Sequence, residues 1–142
     1  MALVGGGGAG NVGGGAPAGV GTSINYVGDH CYVYSGIVNT SGQNNDVTLA
    51  EFSTASNSYI VGFLNPVSNK IDGTSGDDLI FRLFVNDEQI SAFVIDNNAT
   101  FNLFEEIQLL FAGDSRVKIT CRNTSSSTAR EVGVIFTGRV YA

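Results

Sequence analysis

Residues 79–95 read LIFRLFVNDEQISAFVI, and this stretch decides the fold class. Two runs rich in branched and aromatic side chains, residues 79–85 and 90–95, flank the polar segment Asn86–Gln89. Each run is short for a helix, and the polar segment between them has the length of a tight turn. The stretch therefore predicts two antiparallel strands joined by a hairpin.

The same pattern continues on both sides of this hairpin. It predicts six further strands, at residues 30–39, 47–53, 58–65, 107–112, 116–123 and 130–142. Pro66 is expected to end the third of the eight strands in chain order, because proline cannot donate to a ladder. Eight strands and no convincing helix predict an all-β fold, an eight-stranded antiparallel jelly-roll sandwich. An immunoglobulin-like sandwich is the alternative, although tryptophan and suitably spaced cysteines are absent.

Residues 1–21 differ from the rest of the chain. They hold ten of the nineteen glycines and contain no charged or aromatic side chain. Such a segment buries too little apolar surface to offset its ordering entropy, so we expect a flexible Gly-rich arm at 1–21 and a jelly-roll domain at 22–142. Residues 8–13, GAGNVG, match the dinucleotide fingerprint G-x-G-x-x-G. The match lacks a preceding strand and a following helix, so it does not indicate nucleotide binding.

Composition narrows the possible functions. The 142 residues are 43% hydrophobic and only 14% charged, with a net charge of −6. An acidic chain with seven basic residues is poorly suited to nucleic acid or to anionic membranes. It shows no signal-peptide pattern and no apolar run long enough to span a bilayer, so we expect a soluble protein made in a cytoplasm.

Residues with catalytic or metal-binding potential are few. The single histidine, His30, follows Asp29 at a strand start, but no G-x-S-x-G elbow accompanies it. The Asp72–Asp78 turn lacks the spacing of a calcium loop. Cys31 and Cys121 share strand faces with aliphatic residues, which predicts buried free thiols. We therefore expect no enzyme activity, no cofactor and no metal.

Several strands are apolar on both faces, which a monomeric sandwich does not require. Side chains alternate between the two faces of a strand. In the central strands this alternation places four apolar residues on the face away from the core: Ile80, Phe84, Phe93 and Leu110. Contiguous apolar surface marks protein contacts, so these four residues are the predicted subunit interface. Coverage by the protein's own loops is the alternative.

Two segments carry a resemblance to a known family. They are GTSGDDLIFRLFVNDEQI at 73–90 and AGDSRVKITCRNTSSSTAREVGVIFTGRVYA at 112–142. In their texture, with DSRVKIT before a strand and a closing TGRVY, they resemble the small jelly-roll decoration (cement) and head-fibre proteins of tailed bacteriophages. The resemblance covers about residues 70–142.

The resemblance implies a structural virion protein that decorates and stabilises a phage head. Its implied partners are the major capsid protein and two further copies in a homotrimer, and its implied location is the capsid surface. In such a protein the arm would attach to the capsid through its apolar residues, Leu3, Val4, Val12, Pro17 and Val20. The alternative is a trimeric receptor- or glycan-binding fibre domain, for which Tyr26, Tyr59 and Tyr141 are the candidate aromatic contacts.

Overall fold

A computed structural model describes residues 21–40, 42–68, 79–95, 106–124 and 129–142. The described residues form ten β-strands and no helix, which confirms the all-β prediction. The strands are β1 (Asn25–Val27), β2 (His30–Tyr34), β3 (Val38–Asn39), β4 (Asp46–Ser53), β5 (Tyr59–Ser68), β6 (Leu79–Val85), β7 (Glu88–Ile95), β8 (Ile107–Phe111), β9 (Arg116–Asn123) and β10 (Glu131–Tyr141).

The strands form two antiparallel sheets. Sheet I has the order β1-β2-β10-β5-β8, with β3 also pairing with β10, and sheet II has the order β4-β9-β6-β7. Among the eight longer strands, the first pairs with the last (β2 with β10) and the second with the seventh (β4 with β9). The third pairs with the sixth (β5 with β8) and the fourth with the fifth (β6 with β7). The chain is thus a nested series of antiparallel pairs.

Both sheets contribute to one hydrophobic core. Leu49, Phe81 and Ile119 from sheet II meet Val33 and Leu64 from sheet I, and all five are fully buried. Three aromatic rings lie at the centre. Their centroids are 5.8 Å apart for Phe52 and Phe111, 5.9 Å for Phe52 and Phe136, and 5.6 Å for Phe111 and Phe136. The sheets therefore pack face to face as a sandwich.

The predicted hairpin is present, with a tighter turn than the sequence indicates. β6 ends at Val85 and β7 begins at Glu88, so Asn86 and Asp87 form a two-residue loop. Both residues have positive φ, 52° and 70°, as the hairpin turn that matches strand twist requires. The register shifts at a bulge between Leu83 and Phe84.

The predicted end of a strand at Pro66 is wrong, because β5 continues to Ser68. Pro66 lies opposite Val134 of β10. The backbone groups of Val134 face the other way: its carbonyl accepts from the Ser35 N–H at 3.1 Å, and its N–H donates to Ser35 Oγ at 2.8 Å. Val134 therefore needs no N–H donor from position 66. A proline, which lacks that N–H, breaks no hydrogen bond there, and β5 continues past it.

The predicted strand at 30–39 is interrupted. Ser35, Gly36 and Ile37 separate β2 from β3, and Gly36 has a φ of 73°, which favours glycine. The buried Ser35 hydroxyl donates to the Gly36 carbonyl at 2.8 Å and accepts from Val134, so it bridges the gap in the ladder. This break and β1, a short strand that the pattern did not predict, raise the strand count above eight.

The described chain starts at Gly21 as part of the folded domain. The Gly21 N–H donates to the Tyr34 carbonyl at 2.7 Å, and the Thr22 carbonyl accepts from the Glu51 N–H at 2.9 Å. Residues 1–20, which include most of the predicted arm, lie outside the described residues. Attachment residues Leu3, Val4, Val12, Pro17 and Val20 all belong to that part of the chain.

Candidate interaction surface

The four predicted interface residues do not lie on one face. Ile80 and Phe84 lie on the outer face of sheet II, where both are partly buried. Leu110 lies on the outer face of sheet I, paired with Val61, and is 64% exposed. Phe93 pairs with the buried Phe81 and packs against the core. The prediction of one shared apolar face needs correction, whereas the existence of an interface stays a prediction.

The bulge in the β6–β7 hairpin explains the position of Phe93. Without it, the two-residue loop would pair Phe93 with Ile80 and direct both side chains outward. The extra residue on β7 shifts the register, so that Phe93 pairs with Phe81 and Val94 with Ile80. A shift of one residue turns every side chain beyond it to the other face of the sheet.

The outer face of sheet I is the most apolar surface of the described chain. Ten large hydrophobic residues are exposed in the described residues, and six of them project from this one face. We call these six the apolar face: Tyr34, Tyr59, Phe63, Leu110, Ile135 and Tyr141. Monomeric proteins seldom expose large hydrophobic side chains in one contiguous patch, so this surface is the candidate site.

Cross-strand pairing arranges the aromatic side chains of the apolar face. Tyr59 of β5 lies opposite Tyr141 of β10, and their rings stack at 5.1 Å with an interplanar angle of 13°. The Arg139 guanidinium lies 5.6 Å from the centroid of the Tyr141 ring. On β2, the Tyr32 and Tyr34 rings are 4.6 Å apart. Cross-strand pairs such as Tyr59 and Tyr141 stabilise a sheet, and ring contacts across strands or along one strand hold exposed rings in a fixed arrangement.

The outer face of sheet II is charged by comparison. Arg122 makes two hydrogen bonds to the Asp46 carboxylate, at 2.9 and 3.1 Å, and Arg82 lies 3.9 Å from the same carboxylate. The hydrogen bond from Arg122 lowers the pKa of Asp46, and the same bond raises the pKa of Arg122. These ion-paired side chains are partly exposed, and they make this face less suited to an apolar contact.

Phe84 belongs to a polar cleft rather than to an apolar patch. It lines an open cavity of about 370 Å³ together with Glu51, Asp87, Arg116 and Lys118. Arg116 and Asp87 form an ion pair across this cleft. Two acidic and two basic side chains balance one another there, so the cleft offers no net charge to a ligand.

His30 and Asp29 are adjacent, as the sequence places them, and they form an exposed polar cluster with Arg139. His30 Nδ1 lies 2.9 Å from Asp29 Oδ1, and Arg139 Nη2 lies 2.8 Å from Asp29 Oδ2. The Asp29 carboxylate therefore contacts both His30 and Arg139 at the solvent-exposed end of sheet I. Within the described ranges, no group of three His, Cys, Asp or Glu residues could hold a metal ion.

No helix in the described part of the chain is long and apolar enough to cross a membrane.

The prediction of buried free thiols is confirmed. Cys31 and Cys121 are unpaired, and each is at most 2% exposed. Burial raises the pKa of Cys31 to about 11 and that of Cys121 to about 12. Both groups are therefore neutral thiols at physiological pH, and neither is a ready nucleophile.

We expect a maleimide reagent at pH 7.5 to label neither cysteine rapidly in the native protein. Both should react within the mixing time in guanidinium chloride, since unfolding exposes the thiols and restores their ordinary pKa. Intact-mass spectrometry over a time course measures this. Rapid labelling of both residues in the native protein, or a mass showing an intrachain disulfide, would contradict the burial of these two thiols in the core.

The sequence did contain a signal for the apolar face. Phe63 alternates with the buried Leu64 on β5, and Ile135 alternates with the buried Phe136 on β10. Large apolar residues at consecutive positions of a strand put one on each face. The same argument that singled out Ile80 and Phe84 applies equally to these two strands.

No family model, no curated protein and no solved structure matches the chain.

Proposed function

We propose that the chain is a jelly-roll structural protein of a virion that decorates and stabilises the head shell. The nested pairing of eight strands supports the jelly-roll assignment. A jelly roll arises when one long antiparallel ribbon wraps into two four-stranded sheets, which requires pairing of first with last and second with seventh. The β2–β10 and β4–β9 pairs follow this order.

The immunoglobulin-like alternative calls for another arrangement. In that fold the first and second strands are neighbours in one sheet. Here the first long strand, β2, and the second, β4, lie in different sheets. The order of the strands thus favours the jelly roll over the immunoglobulin-like sandwich.

The apolar face is the single observation that carries the proposed structural role. Its exposed rings and aliphatic side chains fit a protein contact better than free solvent. We assign the contact to two further copies of this chain, in the homotrimer that the resemblance to decoration proteins implies. Phe63 on β5 and Leu110 on the edge strand β8 are diagonal neighbours on this face, at 39% and 64% exposure.

One substitution on each sheet distinguishes a contact through the outer face of sheet I from a contact through Phe84 on sheet II. Sedimentation of the wild type should give three times the 14.8 kDa chain mass. Phe63→Asp should weaken association by about a hundredfold or more, since an unpaired charge buried in a contact costs about 3 kcal/mol or more. Phe84→Asp, on the charged sheet, should leave the trimer intact.

Circular dichroism of both variants verifies that they are folded. A wild-type monomer at micromolar concentration would contradict the trimer. Dissociation by Phe84→Asp with no effect of Phe63→Asp would place the contact on sheet II instead.

The capsid partner has a direct test. Particles of the virus that encodes the chain should contain it after gradient purification, at a fixed copy number relative to the major shell protein. Quantitative mass spectrometry of intact particles measures that ratio. A chain that is absent from particles, or present at a ratio that varies between preparations, would contradict the decoration role.

A glycan-binding fibre domain is the second candidate, favoured by the Tyr59–Tyr141 pair beside Arg139 and Asp29. Exposed aromatic rings next to charged hydrogen-bonding groups are common at sugar sites. However, the two ring faces contact each other, and Arg139 lies over Tyr141. A sugar could stack only after these side chains rearrange, so we rank this function second.

A further inference from the structure

An apolar groove lies at one end of the outer face of sheet I. Its volume is about 230 Å³. It is lined by Tyr34, Ile37, Val67 and Ile135, together with Gly36, Gly133 and Val134. Ile37 is 63% exposed, although it is a large aliphatic residue. The groove thus offers an apolar site to a short apolar segment.

The first residue that the structure describes, Gly21, lies beside this groove. The N–H of Gly21 donates to the carbonyl of Tyr34, one of the groove residues. Residue 20 is covalently attached at that point, and twenty residues of chain precede Gly21. We propose that residues 17–20, Pro-Ala-Gly-Val, of the same chain occupy the groove.

The length of this segment fits the width of the groove. Tyr34 is on β2, Ile135 on β10 and Val67 on β5, three neighbouring strands of sheet I. Two strand spacings make about 10 Å. Four extended residues span up to about 14 Å. The segment is therefore long enough to cross from the Tyr34 side to the Val67 side.

The chemistry of the segment fits as well. Pro17, Ala18 and Val20 are apolar, and no charged side chain occurs before Gly21. Proline brings no N–H that would need a partner in an apolar site. Docking would bury Ile37 and Ile135, and the free energy gained scales with the apolar area removed from water. The rest of the arm, which includes Leu3, Val4 and Val12, would then leave the domain beside Val67.

This inference concerns one chain alone. It assigns Tyr34 and Ile135, at one end of the apolar face, to the chain's own arm and leaves Phe63 and Leu110 for the contact between copies. It divides the arm into two parts with different roles. Residues 17–20 anchor the arm to its own domain, and residues 1–16 remain available for a partner.

Disulfide trapping in the full-length protein tests the proposal. Pro17→Cys and Ala18→Cys are each combined with Val67→Cys, at the far side of the groove. A disulfide requires Cα atoms about 4.4–6.8 Å apart, so it forms only if the segment crosses the groove. The native cysteines are buried and should not compete. Oxidised glutathione supplies the oxidant.

We expect at least one pair to form an intrachain disulfide about tenfold or more faster than the control pair Ala18→Cys with Glu51→Cys, because docking raises the local thiol concentration. Glu51 is exposed and lies outside both the groove and the apolar face, and its N–H donates to the Thr22 carbonyl, so an undocked arm would also reach it. Adding Val20→Asp should reduce trapping to the control rate without affecting the fold.

The remaining outcomes overturn the proposal. Disulfides between two chains, seen as dimers on a non-reducing gel, would mean that the groove takes the arm of a second copy. Trapping by neither pair, or at the control rate, would mean that residues 17–20 do not occupy the groove.

Discussion

Phe136→Ala is expected to lower the free energy of unfolding by about 3–5 kcal/mol, the range for removing a fully buried aromatic ring from a core. Phe136 is 0% exposed and contacts Phe111 within sheet I and Phe52 of sheet II. Domains of this size have a total stability of about 5–15 kcal/mol, so the loss would leave the protein close to unfolding. The melting temperature should fall by roughly 10 °C or more.

Thr137→Ala is the matched control, because Thr137 follows Phe136 on β10 but is exposed on the other face. Its effect should stay below about 1 kcal/mol. Urea denaturation followed by circular dichroism measures both variants at low protein concentration. A Phe136→Ala variant that is as stable as the control would contradict a core at this position.

A double-mutant cycle extends the test from one residue to the packing of the two sheets. Phe52 lies on β4 and Phe136 on β10, with ring centroids 5.9 Å apart. Their coupling energy should be about 0.5–1.5 kcal/mol, which is typical of aromatic pairs in contact. A coupling energy near zero would mean that the two sheets do not meet through these rings.

Deletion of residues 1–16 is expected to abolish binding to particles while leaving the fold intact. A trimer would present three arms, and multivalent attachment raises avidity by about 10²–10⁴ over a single contact. The melting temperature should stay within error of the wild type, since the described domain begins at Gly21 and residues 17–20 are retained. Co-sedimentation with particles measures binding, and calorimetry measures the fold.

Replacement of residues 1–16 by a Gly/Ser sequence of the same length is the control for arm length. This variant should also fail to bind, because Leu3, Val4 and Val12 are lost. Binding by the truncated protein at wild-type affinity would show that the arm is not the attachment element. Unfolding on truncation would show that the arm belongs to the fold.

The positions of the strands could be predicted from the sequence, whereas the pairing of the strands could not. Alternation and turn residues indicated the hairpin of β6 and β7. Cys31 and Cys121 share strand faces with aliphatic residues, which indicated that both lie in the core. Pairing of β2 with β10 joins residues about a hundred positions apart, and no local pattern encodes it. Composition and strand spacing suggested the fold class but could not assign strands to sheets.

The candidate site shows the same limit. Leu110 was correctly predicted to point away from the core, but its sheet could not be known from β8 alone. Phe93 was placed on the wrong face because one bulge changes the register, and bulges leave little trace in a single sequence. Pro66 was expected to end a strand, but it lies opposite Val134 of β10, whose carbonyl already accepts a hydrogen bond from Ser35.

The most direct test of the central claim is a titration of purified full-length protein against particles of the encoding virus that were assembled without it. Bound and free protein are separated by sedimentation and quantified against the major shell protein. The account predicts saturable binding, with a plateau that is a fixed multiple of three chains per repeating unit of the shell. Absence of binding, or uptake that rises without a plateau, would contradict it.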